Sequence, residues 1–116
     1  MREIDRLGAI CLALPGAVER DAWRGVAWDV AGRTFAHVLP IEDGRPPVYA
    51  RAFGPGGPAL ALTFWSAGSE LEGLRRAGPP FVAPPWNPGV VGLLVDGDTD
   101  WAEVAELIAE SHRLRG

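Results

Sequence analysis

His37, Cys11, the pair Ser111-His112 and the acidic run Asp96-Gly97-Asp98-Thr99-Asp100 are the residues whose types and spacing bear on chemistry. The acidic run resembles the opening of a calcium loop, with carboxylates at alternate positions. It departs from that loop where the chemistry is decided: the sixth residue is Trp101 in place of Gly, and the twelfth is Leu107 in place of a bidentate Glu. Ser111 and His112 are neighbours on a helical pattern, so their side chains diverge and form no nucleophile and base pair. Cys11 falls on an apolar helical stripe, where a thiol lacks the electropositive setting that would activate it. A single cysteine also excludes an internal disulfide and an all-cysteine metal site. His37 stands in a strand pattern with no second histidine at metal-pair spacing, and reads as a partly buried, hydrogen-bonded neighbour. Gly54-x-Gly56-x-x-Ala59 imitates a dinucleotide fingerprint, but Pro58 and an alternating strand follow where a helix must open. No catalytic residue, metal site or cofactor is therefore expected, and a protein without enzymatic activity is.

Composition narrows the partners. At 116 residues, with 47% hydrophobic and 22% charged residues, the chain has room for one core and one domain spanning 1–116. The charged N-terminal segment Met1-Arg-Glu-Ile-Asp and the lack of a long apolar run give the expectation of a cytoplasmic protein with no membrane contact. The net charge is −4, from eleven arginines, no lysine and fifteen acids. Six of those acids (Asp96, Asp98, Asp100, Glu103, Glu106 and Glu110) fall in the closing segment, leaving the first 95 residues neutral overall. Affinity for nucleic acid comes largely from cationic side chains displacing counterions. Composition supplies no basic face, so any such face must come from local clustering of arginine.

The elements that would position these residues can be read in order. Ile4, Leu7, Cys11 and Leu14 recur at helical steps up to the stop at Pro15-Gly16. A charged linker, Glu19-Arg20-Asp21, leads to a hairpin of Val26 to Ala31 and Thr34 to Leu39. By alternation, Trp28 and Val30 share one face, while Phe35, His37 and Leu39 share a face on the returning strand. Val48 to Phe53 is expected as a third strand and Leu60 to Trp65 as a fourth, joined by the Gly54 to Pro58 turn. Ser69-Glu70-Leu71-Glu72 reads as a capping box opening a short helix that ends at Gly78, with Arg75 and Arg76 offsetting its dipole. Phe81 to Pro88 is too rich in proline for a central strand, so it is an edge piece or a loop that Trp86 anchors. Gly89 to Val95 is a strand. Asp100 then caps a last helix, in which Trp101, Val104, Ala105 and Ile108 form the apolar stripe and Glu103, Glu106 and Glu110 a solvated flank. The expected class is α+β: a two-layer fold with an antiparallel sheet of about five strands covered by helices, in the order α-β-β-β-β-α-β-α.

Two stretches together resemble a family. Trp23-Arg-Gly-Val-Ala-Trp28-Asp-Val30-Ala-Gly32-Arg33-Thr-Phe35-Ala36, after the helix end Leu12-Ala-Leu14-Pro15-Gly16, is similar to the N-terminal signature of MmcQ/YjbR-like bacterial proteins. Asp100-Trp-Ala-Glu103-Val-Ala-Glu106-Leu107-Ile108-Ala-Glu110-Ser111-His112-Arg113-Leu114 is similar to their closing helix, with His112 where a Tyr is usual. The resemblance implies a small α+β fold related in shape to secretion-chaperone and frataxin-like domains, and a DNA-binding role with no catalytic residue.

The sequence-level expectation is thus a non-enzymatic domain that binds DNA through hairpin and sheet arginines: Arg24, Arg33, Arg45 and Arg51. The alternative is a protein-interaction or small-ligand module, motivated by five Trp, one of them (Trp86) set among prolines, and by the acidic last helix. The oligomeric state is not legible.

Overall fold

The computed structural model describes residues 2–54 and 56–116, so Met1 of the N-terminal segment and Pro55 of the Gly54 to Pro58 turn lie outside the described residues. The elements run α1 (Glu3–Leu12), β1 (Val18–Asp21), β2 (Val26–Val30), β3 (Arg33–Ile41), α2 (Pro47–Phe53), β4 (Ala59–Trp65), α3 (Gly68–Arg76), β5 (Phe81–Val82), β6 (Val90–Val95) and α4 (Trp101–Arg115). The strands form one antiparallel sheet in the order β1-β2-β3-β4-β6-β5. The α+β class with an antiparallel sheet stands as expected.

Two expected elements differ, and with them the order and the strand count. The segment expected as a third strand, Val48 to Phe53, is α2. Seven residues are too few for periodicity to separate strand from helix, whereas the termini are decisive. Pro47 opens the helix, where its missing N–H costs nothing, and Gly54 closes it in the left-handed region at φ 52°. The charged linker Glu19-Arg20-Asp21 is part of β1, an edge strand whose four residues are all exposed. Apolar alternation cannot reveal a strand that buries nothing, and its charges keep the edge from pairing with other chains. The proline-rich segment, expected as an edge piece or a loop, adds the short edge strand β5 beside β6, so the sheet has six strands and the order is α-β-β-β-α-β-α-β-β-α. The Ser69 capping box is also not made: α3 begins at Gly68 after Ala67, with no side-chain cap. The cap of α4 forms as read, the Asp100 carboxylate accepting from the Glu103 amide at 3.1 Å.

The core divides by sheet face. Leu7 and Cys11 of α1, Val104, Leu107 and Ile108 of α4, and Leu71 and Leu74 of α3 pack on Trp28, Phe35, Val38, Leu62, Phe64, Val91 and Leu93. At roughly 1.5–3 kcal/mol for each fully buried large side chain, this layer carries most of the stability. The opposite face holds a smaller cluster in which Phe53 of α2 meets Leu39, Ile41 and Ala61. Gly92 of β6 makes the seat: a Cβ there would lie 2.6 Å from the Phe53 ring.

The strand faces are set by a bulge. Trp28 pairs with Ala36 and Asp29 with Thr34, so Phe35 is an extra residue on β3. The bulge turns Phe35 to the main core while His37, Leu39 and Ile41 face α2. The expectation that Phe35 shares a face with His37 and Leu39 is corrected accordingly; His37 and Leu39 do share one.

Candidate functional site

The face carrying α2 bears an exposed aromatic cleft built from four segments. Trp23 comes from the β1–β2 turn, Pro46 and Pro47 from the entry to α2, Val48 and Tyr49 from α2 itself, and Trp86 from the β5–β6 loop. Together they line a cleft of about 370 Å³. Trp23 is 84% exposed, Val48 54% and Trp86 42%, an unusual grouping of large apolar side chains left to water.

Each wall is held by the fold behind it. Tyr49 is half-buried, stacked on the buried Phe53 at 6.0 Å and tilted against Trp86 at 4.8 Å between ring centroids. Burial pushes the Tyr49 phenol up from its ordinary value. The Trp86 loop is clamped by Arg75, whose guanidinium donates to the carbonyls of Val90 (2.6 Å), Asn87 (3.1 Å) and Pro84 (3.1 Å). Arg75 thus does more than offset the α3 dipole: it fixes the proline-rich stretch between β5 and β6, which lies outside the sheet ladder. The Trp23 wall rests on Gly25, which adopts φ +73° with its Cα against the Val38 carbonyl, leaving no room for a side chain. His37 joins the two walls. Its Nε2 donates to the Arg24 carbonyl at 2.7 Å, and its ring meets Tyr49 edge-on at 6.5 Å. It is the partly buried, hydrogen-bonded neighbour that its strand position suggested.

Three of the four arginines expected to contact DNA are close in sequence to residues that line this cleft, although none is itself a lining residue. Arg24 lies over the Trp23 ring at 5.3 Å. Arg45 directly precedes Pro46 in a tight turn closed by the paired backbones of Glu42 and Arg45. Arg51 is exposed one helical turn from Val48 on α2. Arg33 is not with them. It opens β3 at the Ala31-Gly32 hairpin, roughly 13 Å along the strand from the His37 contact with Arg24. Among the described residues none of these four arginines makes an ion pair.

The other chemistry-bearing groups are spent on structure. A cleft of about 490 Å³ beside the start of α4 is lined by Asp96, Asp98, Asp100 and Glu103. There Asp96 Oδ1 accepts from the Asp98 amide at 2.8 Å and Asp100 caps α4, so the run is a turn and a helix start. Among the described residues no group of three or more His, Cys, Asp or Glu is placed to hold a metal ion. Ser111 and His112 diverge as expected, Ser111 Oγ donating to the Phe35 carbonyl at 2.6 Å and His112 Nε2 to the Pro15 carbonyl at 2.7 Å. His112 also packs edge-on against Phe35 at 5.2 Å, the work an aromatic phenol would do there. Burial, with Glu19 adding its charge, pushes the Cys11 thiol up to about 12, so it is an inert core group.

A family model for YjbR matches residues 12–114. The chain belongs to the YjbR family. The fold of this YjbR chain is also seen in a crystal structure of a protein from Pseudomonas syringae, a structural-genomics target, at TM-score 0.77. The match covers 100% of each chain at 15% identity, a likeness of fold alone. No curated protein matches the YjbR chain. No described helix is long and apolar enough to cross a membrane.

Proposed function

We propose that this YjbR-family protein is a non-enzymatic, cytoplasmic module that binds DNA through the rim of the aromatic cleft. Arg24, Arg45 and Arg51 supply the phosphate contacts. One observation carries the reading: Arg24 lies over the exposed Trp23 ring of the cleft, Arg45 and Arg51 are exposed and close in sequence to its lining residues, and none of the three has an ion-pair partner among the described residues. The acids of α4 reinforce it, because α4 packs on the other face of the sheet. Repulsion there turns the α2 face toward a polyanion. The neutral balance of the first 95 residues is thus compatible with a local basic rim on an acidic protein.

Fluorescence anisotropy of a labelled duplex, titrated at several salt concentrations, tests the proposal. Three phosphate contacts give a slope of log K against log salt of about −2.7. Arg45→Gln flattens that slope by about 0.9, whereas Arg33→Gln, set apart at the far end of β3, has the smaller effect. Absence of binding to duplex and single-stranded DNA alike at low salt, or binding indifferent to salt, rejects it. The exposed Trp23, Val48 and Trp86 favour a second reading, a protein-interaction or small-ligand module using the same cleft. Salt-independent changes in Trp fluorescence on adding a partner would identify that case.

A further inference from the structure

The chemistry of the cleft distinguishes between forms of DNA. In a duplex the base faces are stacked on one another, and the backbone presents phosphate and sugar outward. An arginine rim suffices for such a surface, and exposed indoles add little to it. An unpaired strand offers free base faces, and flat aromatic side chains flanked by cations are the recognition elements that suit them. Trp23 retains 84% exposure although Arg24 lies over its ring, so much of the indole surface remains open to a base. Trp86 is 42% exposed and packs against Tyr49, itself stacked on Phe53, while Arg75 holds its loop. A base stacking there meets a ring already in place, so little ordering entropy is lost.

We infer that the cleft is a stacking platform for unpaired DNA, with Trp23 and Trp86 each receiving a base and Arg24, Arg45 and Arg51 following the backbone. The inference rests on the DNA reading above and adds the form of DNA selected. A base on Trp23 also meets the Arg24 guanidinium, which supplies either a cation–π contact or a phosphate contact.

The test uses the whole protein with an oligothymidylate of about 12 nucleotides, a duplex of the same length, and a matching abasic sugar-phosphate strand. Binding is read by anisotropy and by quenching of Trp fluorescence. We expect the oligothymidylate to bind at least tenfold more tightly than the duplex or the abasic strand, and to quench the Trp signal. Trp23→Ala removes an exposed side chain, and its thermal unfolding midpoint is checked against wild type. It narrows the preference about tenfold, as does Trp86→Ala. Equal affinity for the three probes, or a preference unchanged in both variants, overturns the stacking inference while leaving the DNA reading in place. Failure of every probe to bind at low salt overturns both.

Discussion

The Ser111 hydroxyl of α4 donates to the Phe35 carbonyl of β3 at 2.6 Å and accepts from the Trp65 amide of β4 at 2.8 Å. Regular β3–β4 pairing begins at Ala36 and Phe64, so the hydroxyl completes the sheet where the Phe35 bulge interrupts it. Ser111 is fully buried and no water can replace it without opening the core. Ser111→Ala should therefore cost about 1–3 kcal/mol, the penalty for leaving buried backbone groups unpaired. Urea denaturation measures it, and a loss under about 0.5 kcal/mol would mean that the two groups find other partners.

Arg75 holds three carbonyls with one planar group, which an ammonium cannot reproduce. Arg75→Met should lower stability by about 1.5–3 kcal/mol, and Arg75→Lys should recover little of it. Since Trp86 is carried by the clamped loop, its fluorescence should shift to the red in both variants. Full recovery by Lys would argue against the clamp.

Two backbone positions in the first hairpin region should respond in opposite directions. Gly25→Ala drives a methyl into the Val38 carbonyl at a positive φ, and should cost more than 2 kcal/mol. Ala31 sits at φ 51° before Gly32 at φ 78°, the two left-handed positions of a two-residue turn. Asn tolerates that conformation better than Ala, so Ala31→Asn should stabilise by about 0.5–1 kcal/mol. Thermal unfolding of both variants checks the signs.

The pH dependence of stability has three identifiable contributors, of which the Tyr49 phenol, raised by burial, adds to the alkaline side. Cys11 keeps its proton in the folded protein until about 12, against an ordinary value of 9.0. Between those values the folded state binds more protons than the unfolded one, so stability falls as pH rises. Cys11→Ala should flatten that alkaline decline, whatever its constant packing cost. For Asp29, burial works against the carboxylate, but hydrogen bonds from Arg20 (2.7 Å) and Thr34 (2.8 Å) and the charge of Arg20 outweigh it. Its carboxyl is held below the usual range, so the stabilisation is present above the unfolded carboxylate value. It is lost as pH falls through the folded one. Asp29→Asn should make the acid limb shallower, and denaturation profiles from pH 2 to pH 5 provide the comparison.

The sequence by itself determined what local patterns determine. The α1 stripe, the β2–β3 hairpin, the strand ending at Val95 and the Asp100 cap all follow from near neighbours along the chain, as did the α+β class and the likeness to the YjbR family. His37 and the diverging Ser111 and His112 were also legible, because strand and helix geometry limit where adjacent side chains point. The signal for α2 was present in Pro47 and Gly54, but a seven-residue apolar segment satisfies strand and helix patterns alike. β1 offered no apolar signal at all.

Tertiary structure alone decided the cleft and the grouping of its arginines. Trp23, Tyr49 and Trp86 lie far apart in sequence and meet only because α2 crosses the sheet and Arg75 folds the proline-rich loop against it. The same long-range geometry brought together the lining residues that Arg24, Arg45 and Arg51 neighbour in sequence, and left Arg33 at the other end of β3. Spacing along a chain carries information over a few residues. A surface assembled from four segments is fixed by packing between elements, and that becomes visible only in the folded protein.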